Sequence, residues 1–147
     1  MSQIPSSKKG FTLIELMVVI AIISILASFT APSFKRHIAK ANLVDVVLYA
    51  STVTGTADEY IMANADFPTA EALESLLDSQ VPEGKILSTS VTRIDKEQGL
   101  IIFNLKHAIG IDEGATLTYS RNTQGVWQCQ TTLATNVAPD NCQSSEV

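Results

Sequence analysis

A chain of 147 residues with 46% apolar and 17% charged side chains is a folded protein of about one ordinary domain, not a disordered or low-complexity chain. Its net charge of −5 opposes general binding to nucleic-acid phosphates, and its two cysteines do not complete a structural zinc set. The apolar residues are concentrated near the N-terminus.

Residues 8–20 read KKGFTLIELMVVI. Lys8, Lys9 and Gly10 precede an apolar run from Phe11 to Ala31, in which Glu15 is the only ionisable side chain and Thr12, Ser24, Ser28 and Thr30 are the other polar interruptions. About 21 residues make a helix of roughly 31 Å, the thickness of a bilayer's hydrocarbon core. Its Phe, Leu, Ile and Val side chains favour insertion by about 4 to 7 kcal/mol in total, against about 2.5 to 3.5 for a charge at mid-bilayer and less for one near the end of the span. Insertion wins by a small margin. The carboxylate either snorkels to the interface or stays protonated. With no Lys, Arg or His inside the run, its partner is expected from a chain terminus or another molecule.

A secretory signal peptide carries its cleavage site after the apolar region, whereas here SSKKG stands before it. A cut after Gly10 would remove the basic residues, keep the apolar helix and create an α-amine at Phe11, about one helical turn from Glu15. Lys8 and Lys9 hold the uncut N-terminus in the cytoplasm and turn the C-terminal part outward.

The segment KKGFTLIELMVVIAIISILASFTAP resembles a type IV prepilin: a short basic leader ending in Gly10, then Phe11, with Glu15 the fifth residue after the cut. The resemblance implies a leader, residues 1–10, removed by the prepilin peptidase, and N-methylation of Phe11. It further implies that residues 11–34 first cross the inner membrane and then form a filament core, with residues 35–147 as a globular domain outside. Assembly would use Glu15, Phe11 and Pro32, the acid pairing with the amine of a neighbouring subunit. The implied partners are further copies of the chain, a pilus assembly platform, minor pilins and, before assembly, the inner membrane. The product would be an extracellular pilus serving adhesion and twitching motility. Family members often have glycine where this chain has Ser24.

Pro32 lacks an amide donor and crowds the carbonyl of Ser28, so a kink or a locally unwound stretch is expected there. It does not end the helix, because Ala39, Leu43, Val46, Ala50, Val53, Ala57 and Tyr60 continue as one apolar stripe. From Phe11 to about Ala63 the helix would measure roughly 80 Å. Lys35, Arg36, His37 and Lys40 follow the apolar run directly and read as charges at a membrane interface.

Pro68 and Thr69 start a short helix with Glu71 in its first turn and Ala72, Leu73, Leu76 and Leu77 as its apolar face up to Ser79; Pro82 and Gly84 mark a turn. ILSTSVTRI, GLIIFNLK, ATLTYSR and GVWQCQTT then alternate as strands separated by short turn sequences. The expectation is an α+β domain, a four-stranded antiparallel meander with one face against the helix stripe.

Cys129 and Cys142 both fall in the final segment. In an outward, oxidising compartment a disulfide closing about 14 residues would contribute roughly 3 kcal/mol. A metal site or a catalytic thiol are the alternatives, and neither finds further ligands: His37 is far off and His107 stands alone. VWQCQ followed by VAPDNCQ also resembles the disulfide-bounded C-terminal loop of type IVa major pilins. That sets a major pilin above a type II secretion pseudopilin, a group that commonly lacks the bridge and carries calcium; Asp112 and Glu113 alone do not make a calcium site.

No phosphate-binding glycine loop, HExxH or nucleophile elbow occurs, so neither an enzyme nor a cofactor or metal is expected. Some type IV pili take up DNA, and Lys85, Arg93, Lys96, Lys106 and Arg121 lie on or beside the expected strands. Loss of Lys8 and Lys9 would leave a net charge of about −7, which makes DNA the weaker partner. The reading is a structural filament subunit, ahead of a secretion pseudopilin, a minor or DNA-binding competence pilin, and an anchored enzyme.

Overall fold

A computed structural model describes residues 10–77, 81–108 and 110–145. The chain divides into two compact units between Phe34 and Lys35. Helix α1 (Leu13–Asn64) contributes to both, and every residue in it is helical. Pro32 therefore neither ends α1 nor unwinds it. A proline ring removes one hydrogen bond from the ladder, here to the carbonyl of Ser28, and the bonds on either side hold the turn.

The described part of the first unit buries almost nothing. From Gly10 to Pro32 every side chain is exposed, including Phe11, Leu13, Ile14 and Leu16. Among the described residues α1 is the one helix long and apolar enough to cross a membrane.

In the second unit α1 buries the expected stripe, Ala39, Leu43, Val46, Ala50, Val53 and Ala57, and adds Tyr49 and Ile61. Tyr60, expected to close the stripe, is only half-buried. The stripe ends with a step of four to Ile61 because an α-helix's 3.6-residue period outruns strict alternation of three and four over many turns. Three alanines of the stripe, Ala39, Ala50 and Ala57, are fully removed from solvent.

The sheet comprises β1 (Ile86–Arg93), β2 (Gly99–Leu105), β3 (Thr116–Arg121), β4 (Trp127–Thr131) and β5 (Cys142–Ser144), in that spatial order. The first four strands form the expected antiparallel meander, with Phe103 opposite Leu117 and Tyr119 opposite Cys129. There are five strands, however, not four, and β5 runs parallel to β4. Residues 132–141 turn the chain twice and bury Leu133, Val137 and Ala138, so the chain returns in its original direction. Strand β2 is the middle of the core, with Gly99, Ile101, Phe103 and Leu105 all inward. Phe103 sits edge-on between Tyr49 of α1 and Tyr119 of β3, with ring centroids 6.0 and 5.9 Å away.

Helix α2 (Ala70–Leu76) starts as expected at Thr69, whose Oγ1 accepts a hydrogen bond from the amide of Ala72 at 3.2 Å. Its apolar face is narrower than expected. Leu73 is buried, Ala72 and Leu77 are half-buried, and Leu76 is exposed. Ser79 lies outside the described residues. The turn at Pro82 and Gly84 forms, with the Lys85 amide donating to the Pro82 carbonyl at 3.3 Å and Gly84 at φ 73°.

Gly99 begins β2 directly under the ring of Phe67. A Cβ there would lie 2.3 Å from the Phe67 ring, which is itself 2% exposed and packed on Trp127. Gly99→Ala should cost about 1 to 3 kcal/mol by overpacking, read from thermal unfolding followed by Trp127 fluorescence. An unchanged melting temperature would mean that Phe67 can swing away freely.

Candidate assembly interface

The apolar run carries five polar or charged side chains, Thr12, Glu15, Ser24, Ser28 and Thr30, and each makes a hydrogen bond within the same segment. Ser24 Oγ donates to the Ile20 carbonyl at 2.7 Å, Ser28 Oγ to that of Ile25 at 2.7 Å, and Thr30 Oγ1 to that of Ala27 at 3.3 Å. Such back-bonding hides a hydroxyl from lipid without any neighbour.

Glu15 has a local partner as well. Its Oε2 accepts from the Thr12 amide at 2.8 Å and from Thr12 Oγ1 at 2.9 Å, while the Glu15 amide donates to Thr12 Oγ1 at 3.3 Å. With α1 starting at Leu13, Thr12 is the cap and Glu15 the third helical residue, a reciprocal capping box. This local hydrogen-bond partner was not expected from the sequence, and it is separate from the charged partner expected from a terminus or another molecule. The signal was present as TLIE, a threonine three residues before a glutamate at the head of an apolar run. The box uses only Oε2 and supplies no positive charge. Phe11, adjoining the cap, is 89% exposed, and Gly10 is exposed before it. Gly10, Phe11 and Glu15 are thus grouped at the start of α1. Pro32 lies 17 residues beyond Glu15 in the same helix, exposed. Lys8 and Lys9 lie outside the described residues.

Three cations of the second unit serve its own cohesion. The Asp58 carboxylate on α1 accepts from Arg121 Nε at 2.8 Å on β3 and from Trp127 Nε1 at 3.1 Å on β4, and Arg121 Nη1 also donates to the Glu97 carbonyl at 2.7 Å. Arg93 pairs with Asp66 at 2.8 Å, and Lys85 pairs with Asp45. Three of the five cations considered for DNA are therefore tied to acids of the same chain and do not form a free cluster. Asp58→Ala should lower stability by about 1 to 3 kcal/mol, because it strands a guanidinium that is only 11% exposed together with an indole N–H. A urea titration reads the change, and a loss below about 0.5 kcal/mol would show that water replaces the carboxylate.

At the C-terminal end Cys129 and Cys142 are joined, their Cα atoms 4.5 Å apart, as directly opposed residues of β4 and β5. The disulfide therefore clips the short parallel strand to the sheet. Among the described residues no three His, Cys, Asp or Glu side chains gather as a metal site.

Residues 5–31 match the prokaryotic N-terminal methylation motif, and residues 39–143 match the pilin (bacterial filament) family. The chain is similar to the fimbrial protein EcpB of Eikenella corrodens, with 35% identity over 136 residues that cover 84% of this chain and 85% of that protein. It is 31% identical to a fimbrial protein of Pseudomonas aeruginosa over 95% of this chain and 99% of that one. The type IV major fimbrial protein FimA of Dichelobacter nodosus is 27% identical over 94% of this chain and 97% of its own length.

Proposed function

This chain belongs to the pilin family of bacterial filament proteins, and from that premise we propose that it is the structural subunit of a type IV pilus, cleaved after Gly10 and assembled through its N-terminal helix. The observation that carries the reading is the contrast along α1. Its second half buries one stripe in a domain core, while its first half presents apolar side chains on all sides with its hydroxyls already satisfied.

Such a helix is stable in two surroundings, lipid and a bundle of identical helices. A subunit held in the inner membrane by a few kcal/mol can be withdrawn by an assembly platform and its apolar surface covered again by neighbours. The bilayer is then the reservoir from which the extracellular fibre grows. Cleavage exposes the Phe11 amine beside an acid whose position the capping box has already set. An amine from a neighbouring subunit completes the pair, and a water-shielded ion pair of this kind selects register more than it adds stability. Prepilin peptidase and minor pilins are the partners this route requires. The Cys129–Cys142 clip supports a pilus subunit over a secretion pseudopilin, and adhesion and twitching motility are the roles such a fibre serves.

The test is mass spectrometry of fibres sheared from cells that express the chain. Their main component should begin at N-methylated Phe11. Fibres made of another protein, or a chain that keeps residues 1–10 while the export apparatus is active, would refute the proposal.

A further inference from the structure

Acids and bases are segregated along α1. No acid occurs between Glu15 and Asp45, while Lys35, Arg36, His37 and Lys40 crowd the turns just beyond the apolar run. All four are exposed. The ion pairs among the described residues use Lys85, Arg93 and Arg121, so the chain's other two arginines are both committed to acids and Arg36 enters none of these pairs.

Position along the helix indicates what could meet them. At a rise of 1.5 Å per residue, Lys35 to Lys40 follow Ala31 by about 6 to 14 Å. The headgroup layer extends roughly 5 to 8 Å beyond each face of the hydrocarbon core, and long cationic side chains can reach back into it. At 100° per residue Lys35, Arg36 and Lys40 fall within roughly 140° of the helix circumference, one broad face. A span that ends at Ala31 sets these cations at the level of lipid phosphates.

Their placement also opposes the usual charge bias. Cations flanking a span ordinarily stay on the cytoplasmic side, and by count Lys35, Arg36 and Lys40 outweigh Lys8 and Lys9. The disulfide belongs to an oxidising compartment and so argues for the domain, and these cations with it, on the outer side. Cations retained where they work against insertion call for a ligand there.

Resting on the membrane-stored subunit described above, we propose that Lys35, Arg36 and Lys40 form a binding face for anionic phospholipid headgroups, which holds the waiting subunit at a fixed depth. The acids of a second copy are the rival ligand. Lipid is favoured because the face directly adjoins the span and meets headgroups before any neighbour arrives.

The test uses the full chain carrying K8Q/K9Q, so that leader lysines attract no lipid, reconstituted in phosphatidylcholine bilayers. Trace spin-labelled phosphatidylglycerol or phosphatidylcholine reports the lipid shell around the span. Phosphatidylglycerol should be preferred by at least about fivefold at low salt, with most of the preference lost at about 0.5 M salt. Adding K35Q/R36Q/K40Q should bring the ratio near one, while K96Q, in the β1–β2 turn, should leave it unchanged. Trp127 emission verifies folding in each variant. A ratio that survives K35Q/R36Q/K40Q overturns the proposal, and so does a ratio near one in the K8Q/K9Q parent, which would leave these cations to a neighbour's acids. The measurement needs neither cleavage nor filaments, so failure of the pilus reading would be seen separately, in the fibre mass spectra.

Discussion

Glu15→Gln should leave the chain in the membrane and abolish its filaments. Glutamine serves at the third helical position of a capping box as well as glutamate does, so the bonds with Thr12 have a substitute and the start of α1 is preserved. Insertion should be no worse, since the substitution removes a charge from the span. Only the negative charge is lost. If the Phe11 amine of a neighbour is buried against this residue, removing its counter-charge costs about 3 to 5 kcal/mol per added subunit, which is about two to four orders of magnitude in each addition step. Glu15→Ala should fail likewise and also lose the carboxylate half of the capping box. Membrane fractionation and electron microscopy of sheared fibres separate the two steps. Abundant filaments from Glu15→Gln would reduce Glu15 to a capping residue and end the ion-pair account.

Replacing both cysteines, C129S/C142S, should lower the stability of the globular unit by about 3 kcal/mol on the loop-entropy estimate for this closure. For a domain of this size that is roughly 10 to 15 °C in melting temperature. Strand β5 has three residues and, among the described residues, pairs with β4 alone, so without the clip it depends on that short ladder and on local hydrogen bonds. These include Ser144 Oγ to the Leu133 carbonyl at 2.7 Å, the Ser145 amide to the Thr131 carbonyl at 2.8 Å and Ser145 Oγ to the same carbonyl at 3.0 Å. Those bonds, with the burial of Leu133, Val137 and Ala138, should fail together once the chain end is free. Thermal unfolding of the intact chain in detergent, with and without reductant, measures the effect. A fall below about 1 kcal/mol would mean that local packing holds the segment without the bond.

Much of this architecture was legible from one-dimensional pattern. Apolar length announced the span, and spacings of three and four announced the stripe on the second half of α1. Alternation located β1 to β4, and threonine after proline located the start of α2. Each depends on the period of a single element, so each is written in neighbouring residues. The Thr12–Glu15 box was equally local and could have been found from TLIE.

Other features depended on which distant surfaces meet. CQS is too short to alternate, and its role as β5 follows from the path of residues 132–141 and from Cys142 arriving opposite Cys129. Nothing in sequence spacing pairs Asp58 with Arg121 and Trp127, or sets Gly99 beneath Phe67, since those partners lie 32 to 69 residues apart and come together only when the sheet closes on α1. The same closure determined which of the domain's cations are occupied. The sequence by itself determined an apolar helix, its leading acid and the order of the first four strands, because local periodicity and composition suffice for these. The tertiary structure alone decided the parallel fifth strand, the ties between α1 and the sheet and the distribution of paired charge, because those rest on packing and hydrogen-bond geometry between residues far apart in the chain.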